Sequence, residues 1–359
     1  MKRLGSISIF LSLLLSLADG SAISYKKSVA TPALEPSTNV CVHVGRIISV
    51  QGVVWLKRQG WPEYHLTASG APLCLGDRLQ LAFGARAIVQ CADPSQNLWT
   101  VPGREILSAA SGCPPPTKPA YTLTHPITPT REPLASGVPE IISPNNTLLL
   151  SNKPTLRWIA VPGAITYVVR ISGPWVNWMC EVKATQIVYS GPPLKPVEEG
   201  YLLEVEANND EVAKATFSLL GEPQAALVRK AAVRISQQNL PADAKTLALA
   251  EIDIGQGLIA EATDLLEAAV ARGSRTASVY YTLGELYANA ELFRQAEGNY
   301  FKASKLAKAA NDIEGQATSA ARLSQVYNLL GKSDQAKYWS KHAQQEYQAL
   351  GEVQPTPQG

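Results

Sequence analysis

Four histidines and five cysteines are the side chains of this 359-residue chain best suited to metal or nucleophilic chemistry. His43, His65, His125 and His342 are scattered over three regions. None stands in an HExxH or comparable spacing, which would put two imidazoles on one helix face. Cys41, Cys74, Cys91, Cys113 and Cys180 include no CxxC pair, so neither a zinc site nor a thioredoxin-like dithiol is expected. There is no GxSxG elbow and no Walker loop. The "GQG" at 255–257 lies between helical segments instead of after a strand, and reads as a turn. Asp77 and Asp93 read as turn formers whose carboxylates satisfy local amides, and Asn145-Asn146-Thr147 is formally a glycosylation sequon. No catalytic or metal site and no cofactor follow from these residues, and a non-catalytic protein is expected.

The cysteines still carry information, because four of the five fall within residues 41–113. That density suits disulfides in an oxidising compartment. Cys91–Cys113 is the favoured bridge and Cys41–Cys74 a second candidate. A bridge closing about 20 residues contributes roughly 3 kcal/mol by the chain-entropy argument. Cys180 is left as a free, half-buried thiol.

The chain's start agrees with that compartment. Lys2 and Arg3 precede the apolar run "ISIFLSLLLSLA" and the small residues "DGSA", so residues 1–22 read as a secretory signal cut after Ala22, or alternatively after Ala18. A run of about 12 apolar residues is too short for a membrane span. No later stretch approaches 18, so no transmembrane segment is expected after cleavage and the mature chain should be exported to the periplasm, the cell envelope or the outside. Its formal charge is +2, or +1 once Lys2, Arg3 and Asp19 are removed. No basic run stands out, which argues against nucleic acid and anionic membranes as partners.

Punctuation divides the remainder. Residues 114–139 hold eight prolines in 26 positions and should form a semi-extended linker. The end, "EVQPTPQG", looks frayed. Between these marks the expected fold is multidomain, with two β units followed by helices.

In residues 41–113, Ile48, Val50, Val54 and Leu56 fall on one face, with Ser49, Gln51 and Lys57 on the other. Ala85, Ala87, Val89 and Cys91 alternate in the same way with Arg86 and Gln90, as strands do. "GRIISVQGVVWLKR", "LCLGDRLQLAFGARAIVQCAD" and "WTVPG" resemble the FecR-like β domain of bacterial envelope proteins. The family's name-giving ferric-citrate regulators carry a cytoplasmic anti-sigma segment and a membrane helix ahead of this domain. Neither is found here, so only the β module is implied, without transmembrane signalling.

In residues 140–220, Tyr167, Val169 and Ile171 oppose Thr166 and Arg170, and Tyr201, Leu203, Val205 and Ala207 oppose Glu204 and Glu206. Turn signals such as "PNN", "VPGA" and "EEG" separate the strands, which suggests a small sandwich. "SPNNTLLLSNKPTLRWIAVPGAITYVVRI" is similar to a fibronectin type III-like or Ig-like domain, with Trp158 in its core and Tyr201 on a late strand.

In residues 222–350 a pattern repeats. Tyr280, Leu283, Gly284, Tyr287, Ala296, Tyr300 and Ala303 resemble the 34-residue tetratricopeptide repeat. A step back by 34 reaches Leu249, Ala250, Ala262, Leu266 and Ala269, with Asp253 in the tyrosine's place. A step forward by 40 reaches Ala320, Leu323, Ser324, Tyr327, Ala336, Ser340 and Ala343. Helix pairs are therefore expected at about 243–276, 277–316 and 317–350, behind a capping helix at 222–238. Small residues let paired helices approach, and large ones fill the space between pairs.

The resemblance implies an α-α solenoid whose first helices line a groove for a protein or peptide. By position that groove would present Glu251, Tyr281, Glu285, Asn289, Arg322, Gln325 and Asn328. The alternative is a protein that binds glycan or peptidoglycan through its β modules, with Trp55, Trp61, Trp175 and Trp178 as stacking candidates and the repeats serving oligomerisation.

Overall fold

The computed structural model describes residues 41–92, 97–103, 105–115, 137–208 and 212–351. The expected signal, residues 116–136 of the expected linker, Asp93, His125 and the end beyond Gly351 lie outside the described residues.

Alternating apolar residues build the first unit from short strands: β1 (His43–Gln51), β2 (Val54–Lys57), β3 (His65–Leu66), β4 (Pro72–Cys74), β5 (Arg78–Leu81), β6 (Arg86–Cys91), β7 (Leu98–Val101) and β8 (Leu107–Ser108). They form two four-stranded antiparallel sheets, ordered β4-β1-β6-β7 and β3-β2-β5-β8. Val44, Ile47, Leu56, Leu73, Leu79 and Val89, from both sheets, share one core. A single turn of helix, α1 (Ala109–Gly112), follows. Both expected bridges are made, Cys41–Cys74 and Cys91–Cys113, and Cys180 is free and half-buried.

The second unit holds β9 (Glu140–Ser143), β10 (Thr147–Leu149), β11 (Thr155–Ile159), β12 (Tyr167–Gly173), β13 (Val176–Val182), β14 (Gln186–Val188), β15 (Tyr201–Ala207) and β16 (Val212–Leu219). One sheet runs β10-β16-β15-β12-β13, with β10 parallel to β16, and a second runs β14-β11-β9. Alternation holds here. Tyr167, Val169, Ile171, Tyr201, Leu203 and Val205 are at most 2% exposed, and Trp158 packs among them.

Seven helices follow among the described residues: α2 (Glu222–Ser236), α3 (Ala242–Gly255), α4 (Ile259–Ala271), α5 (Ala277–Asn289), α6 (Phe293–Ala309), α7 (Ile313–Leu329) and α8 (Ser333–Ala349). Each packs on the next, and α5 also touches α7, so the packing is repeat-like. The turns repeat as well. Leu258, Leu292 and Lys332 each donate a backbone N–H to the carbonyl five residues back, closing the same helix cap. The left-handed residue in each is Gly257, Glu291 or Gly331, at spacings of 34 and 40. Helix α7 begins at Ile313, ahead of the expected boundary at 317, because the Asp312 carboxylate accepts the Gly315 N–H and caps it. Among the described residues no helix is long and apolar enough to cross a membrane.

One expectation fails at β1 and β6. Ser49 and Gln90, expected on the face opposite the apolar one, are 5% and 4% exposed. Ile48, expected on one face with Val50, Val54 and Leu56, packs on the helices while those three pack in the β core. A register shift between Ile47 and Ser49 interrupts strict alternation in β1. In addition, the outer side of both strands is covered by helices. Ile48 packs with Val228, Ile235, Ala248 and Ile252, and the Gln90 Nε2 donates to the Ala248 carbonyl (3.1 Å).

Candidate functional site

The residues expected to line a groove lie on α3, α5 and α7, the first helices of the three pairs. Four of them form one cluster. Glu285 is buried, accepts the Tyr300 hydroxyl (2.6 Å) and pairs with Arg322 Nη2 at 2.8 Å. The Arg322 Nη1 donates to Gln325 Oε1 (2.9 Å). The Tyr281 ring packs on that of Tyr300, with centroids 5.7 Å apart. Burial pushes the Glu285 carboxyl above its ordinary range although Arg322 pulls the other way. Burial also opposes charge on Arg322, but the adjacent Glu285 outweighs it and raises the guanidinium's pKa. The hydroxyl of Tyr281 is raised by the same burial and by Glu285. This cluster follows from the helix spacing, since Tyr281 and Glu285 are four residues apart on one face, as are Asn289 and Glu285. The Asn289 Nδ2 donates back to the Glu285 carbonyl (2.8 Å).

The remaining expected residues divide. Glu251 on α3 faces Arg46 of β1, with Oε1 2.6 Å from Nε. Asn289 and Asn328 are exposed, as is Gln325 of the cluster, and these three lie toward the C-terminal ends of α5 and α7.

Residues not singled out from sequence complete the picture. Arg58, just after β2, donates Nε to Glu314 Oε1 on α7 (2.7 Å) and Nη1 to Asp77 Oδ2 (2.6 Å). Asp77 also accepts the Cys74 amide (2.8 Å), the local role expected of it. The Ser278 hydroxyl at the start of α5 donates to the Ser69 carbonyl (2.7 Å). The helix face carrying the candidate groove residues therefore holds the chain's own first β unit along part of its length. A signal for this was present in the sequence. Arg58 continues the two-residue spacing of Val54 and Leu56, so a charge ends an apolar face, and a half-buried charge requires a partner.

The second β unit reaches the same helices. Arg157 pairs with Glu267 (2.6 Å) and Asp264 (2.8 Å) on α4, and the Thr147 hydroxyl bonds near Gly257 at the end of α3. The stacking tryptophans are not brought together as a platform. Trp61 is 4% exposed, Trp178 packs edge-on against Tyr189, and Trp175 stands out at 83%. Among the described residues no group of three or more His, Cys, Asp or Glu could hold a metal ion.

Comparison with known proteins adds little. No family model matches the chain, and no curated protein matches it. A structure described as the crystal structure of MamA protein is 20% identical, covering 37% of this chain and 70% of that one at a TM-score of 0.29. The crystal structure of BtubC (BKLC) from P. vanneervenii is 16% identical, covering 37% of this chain and 76% of that one at a TM-score of 0.22. Likenesses this loose carry no argument about what the chain does.

Proposed function

We propose that this chain is a non-catalytic adaptor of the cell envelope, exported and disulfide-stabilised. In this reading a FecR-like module and a fibronectin type III- or Ig-like sandwich are mounted on a tetratricopeptide-like stack that holds a protein or peptide partner. The observation that carries the reading is the face of α3, α5 and α7. It already binds polypeptide through Glu251 and Glu314, each paired with an arginine of the first β unit. Beyond that covered stretch the same face presents Asn289, Gln325 and Asn328 to solvent. Amide side chains suit peptide recognition, since each both donates and accepts hydrogen bonds. The proposed partner segment lies along the C-terminal ends of α5 and α7, beside the chain's own strands.

The test uses the full chain in its native envelope, with a photo-crosslinking residue at Gln325 and, as control, at Arg86, an exposed position on β6. A discrete polypeptide captured from Gln325 and not from Arg86 is expected, with capture reduced by Asn289→Ala plus Asn328→Ala. Identical products from both positions, or none from Gln325, would overturn the adaptor reading.

A further inference from the structure

A cleft of about 480 Å³ opens between β1, the Ser69 loop and the starting ends of α3 and α5. That volume lies in the range of small-molecule sites, roughly 300–1,000 Å³. Ile48, Val50 and Ala244 supply apolar wall. Polar groups of two signs converge on the rest.

Ser49 is the most telling of these. It pairs with Ile88 across the sheet, so the two side chains share the helix-facing side, and Ile88 packs among helix residues there. Ser49 is 5% exposed and lines the cleft, and its hydroxyl makes no hydrogen bond among the described residues. The hydroxyl is open to the cleft and free to bond whatever occupies it.

Charge points the same way. Asp243 in the first turn of α3 accepts the Ser274 hydroxyl (2.7 Å) and the Thr276 hydroxyl (2.6 Å), both through Oδ2. Its Oδ1 has no partner among the described residues. Arg272 and Arg275 line the same cleft, both exposed; neither makes an ion pair among the described residues, and the Arg272 Nη2 donates to Thr246 Oγ1 on α3 (3.4 Å). Opposite charges thus line one cleft without neutralising each other. Helices α3 and α5 both start there without a side-chain cap, which adds free N–H groups to the positive field. A phosphate dianion would meet Asp243 unfavourably. A molecule carrying both a cation and a carboxylate satisfies both kinds of charge.

We propose that this cleft binds a small zwitterion, an unblocked amino acid or dipeptide, with its ammonium on Asp243 Oδ1, its carboxylate on Arg272 and Arg275, and Ser49 as an additional hydrogen-bonding group. The site is independent of the partner-binding reading. Calorimetric titration of the full chain with the free amino acids and L-alanyl-L-alanine, each to millimolar concentration, tests it. At least one probe should bind saturably. Its N-acetyl and carboxamide forms should each bind roughly tenfold or more weakly, as loss of one charged hydrogen bond implies. The Arg272→Gln plus Arg275→Gln variant, whose sites are exposed and whose one bond inward is the long contact of Arg272 with Thr246 (3.4 Å), should melt like the parent and lose the same factor. The proposal is overturned if no probe binds, if blocked forms or the double variant bind as well as their parents, or if inorganic phosphate binds more tightly than every zwitterion.

Discussion

At the scale of single residues, the Glu285–Arg322 pair decides what kind of face the helices present. Both side chains are largely withdrawn from water, at 7% and 13% exposure, and Tyr300 and Gln325 satisfy further hydrogen-bonding groups. A charge pair so enclosed belongs to the packing of α5 against α7, and it is poorly placed to greet an incoming peptide. Removing one member leaves the other buried without its counter-charge, at a cost of about 3–5 kcal/mol. Arg322→Gln should therefore lower the urea midpoint strongly, and Arg322→Met combined with Glu285→Met should recover much of the loss, because apolar replacement of both partners removes the stranded charge. If Arg322→Gln left the midpoint where it was, the pair would be a surface feature and free to serve recognition. Gly284, the marker of the repeat, has a related reason for its identity: a Cβ there would stand 2.8 Å from the Tyr300 ring.

At the scale of elements, the contact between β2 and α7 is set by Arg58 among carboxylates. Glu314 is pushed up to about 7, chiefly by burial, while Arg58 pulls it down and Asp312 pushes it further up. Its folded value lies above the ordinary 4.5, so the folded chain retains a proton that the unfolded chain releases. The stability from this group is fully present below about pH 4.5 and is lost as pH rises toward 7. His43, lowered to about 4 by burial and then by Arg46, acts in the opposite sense, losing its contribution as pH falls below 6.5. The two are separated by comparing the parent with Glu314→Gln in urea titrations across that window. The parent's advantage should shrink by roughly 1–3 kcal/mol between pH 4.5 and 7; a constant difference would mean that Glu314 does not titrate there. How much of this was legible in the sequence differs from unit to unit. Tyr167, Val169 and Ile171 announced their buried face because their sheet alternates regularly. The repeat-like packing was legible because Ala296 and Ala303 recur in type and spacing as Ala262 and Ala269 and as Ala336 and Ala343. The burial of Ser49 and Gln90 is not legible in the sequence, because helices more than 150 residues away cover their strands, and alternation is silent about a second covering layer.

At the scale of the molecule, the described residues belong to one compact unit, and its apolar clusters cross the expected boundaries. Ala317 and Leu350 lie in the core of the first β unit, Ile48 lies among α2 and α3, and Ala260 joins the second β unit. A helical stack that merely carried its β units on linkers would show none of this sharing. Shared cores couple unfolding, because exposing one side strands the other. Gly70 offers a way to test the coupling at the seam. It sits at φ +98, and a Cβ there would fall 1.9 Å from that of Ser278, so Gly70→Ala meets both backbone strain and a backbone-anchored neighbour. The substitution touches only the seam between the first β unit and α5. In a coupled molecule it should nevertheless lower the midpoint for the helices, followed by far-ultraviolet dichroism, as much as for the first β unit, followed by fluorescence of Trp55, Trp61 and Trp99 in a chain whose other tryptophans are replaced by Phe, with the two curves superimposed. Were the helical transition to stay in place while the fluorescence transition moved, the stack would fold independently of the strands it grips. Its whole first-helix face would then be available to a partner, instead of only the end marked by Asn289, Gln325 and Asn328.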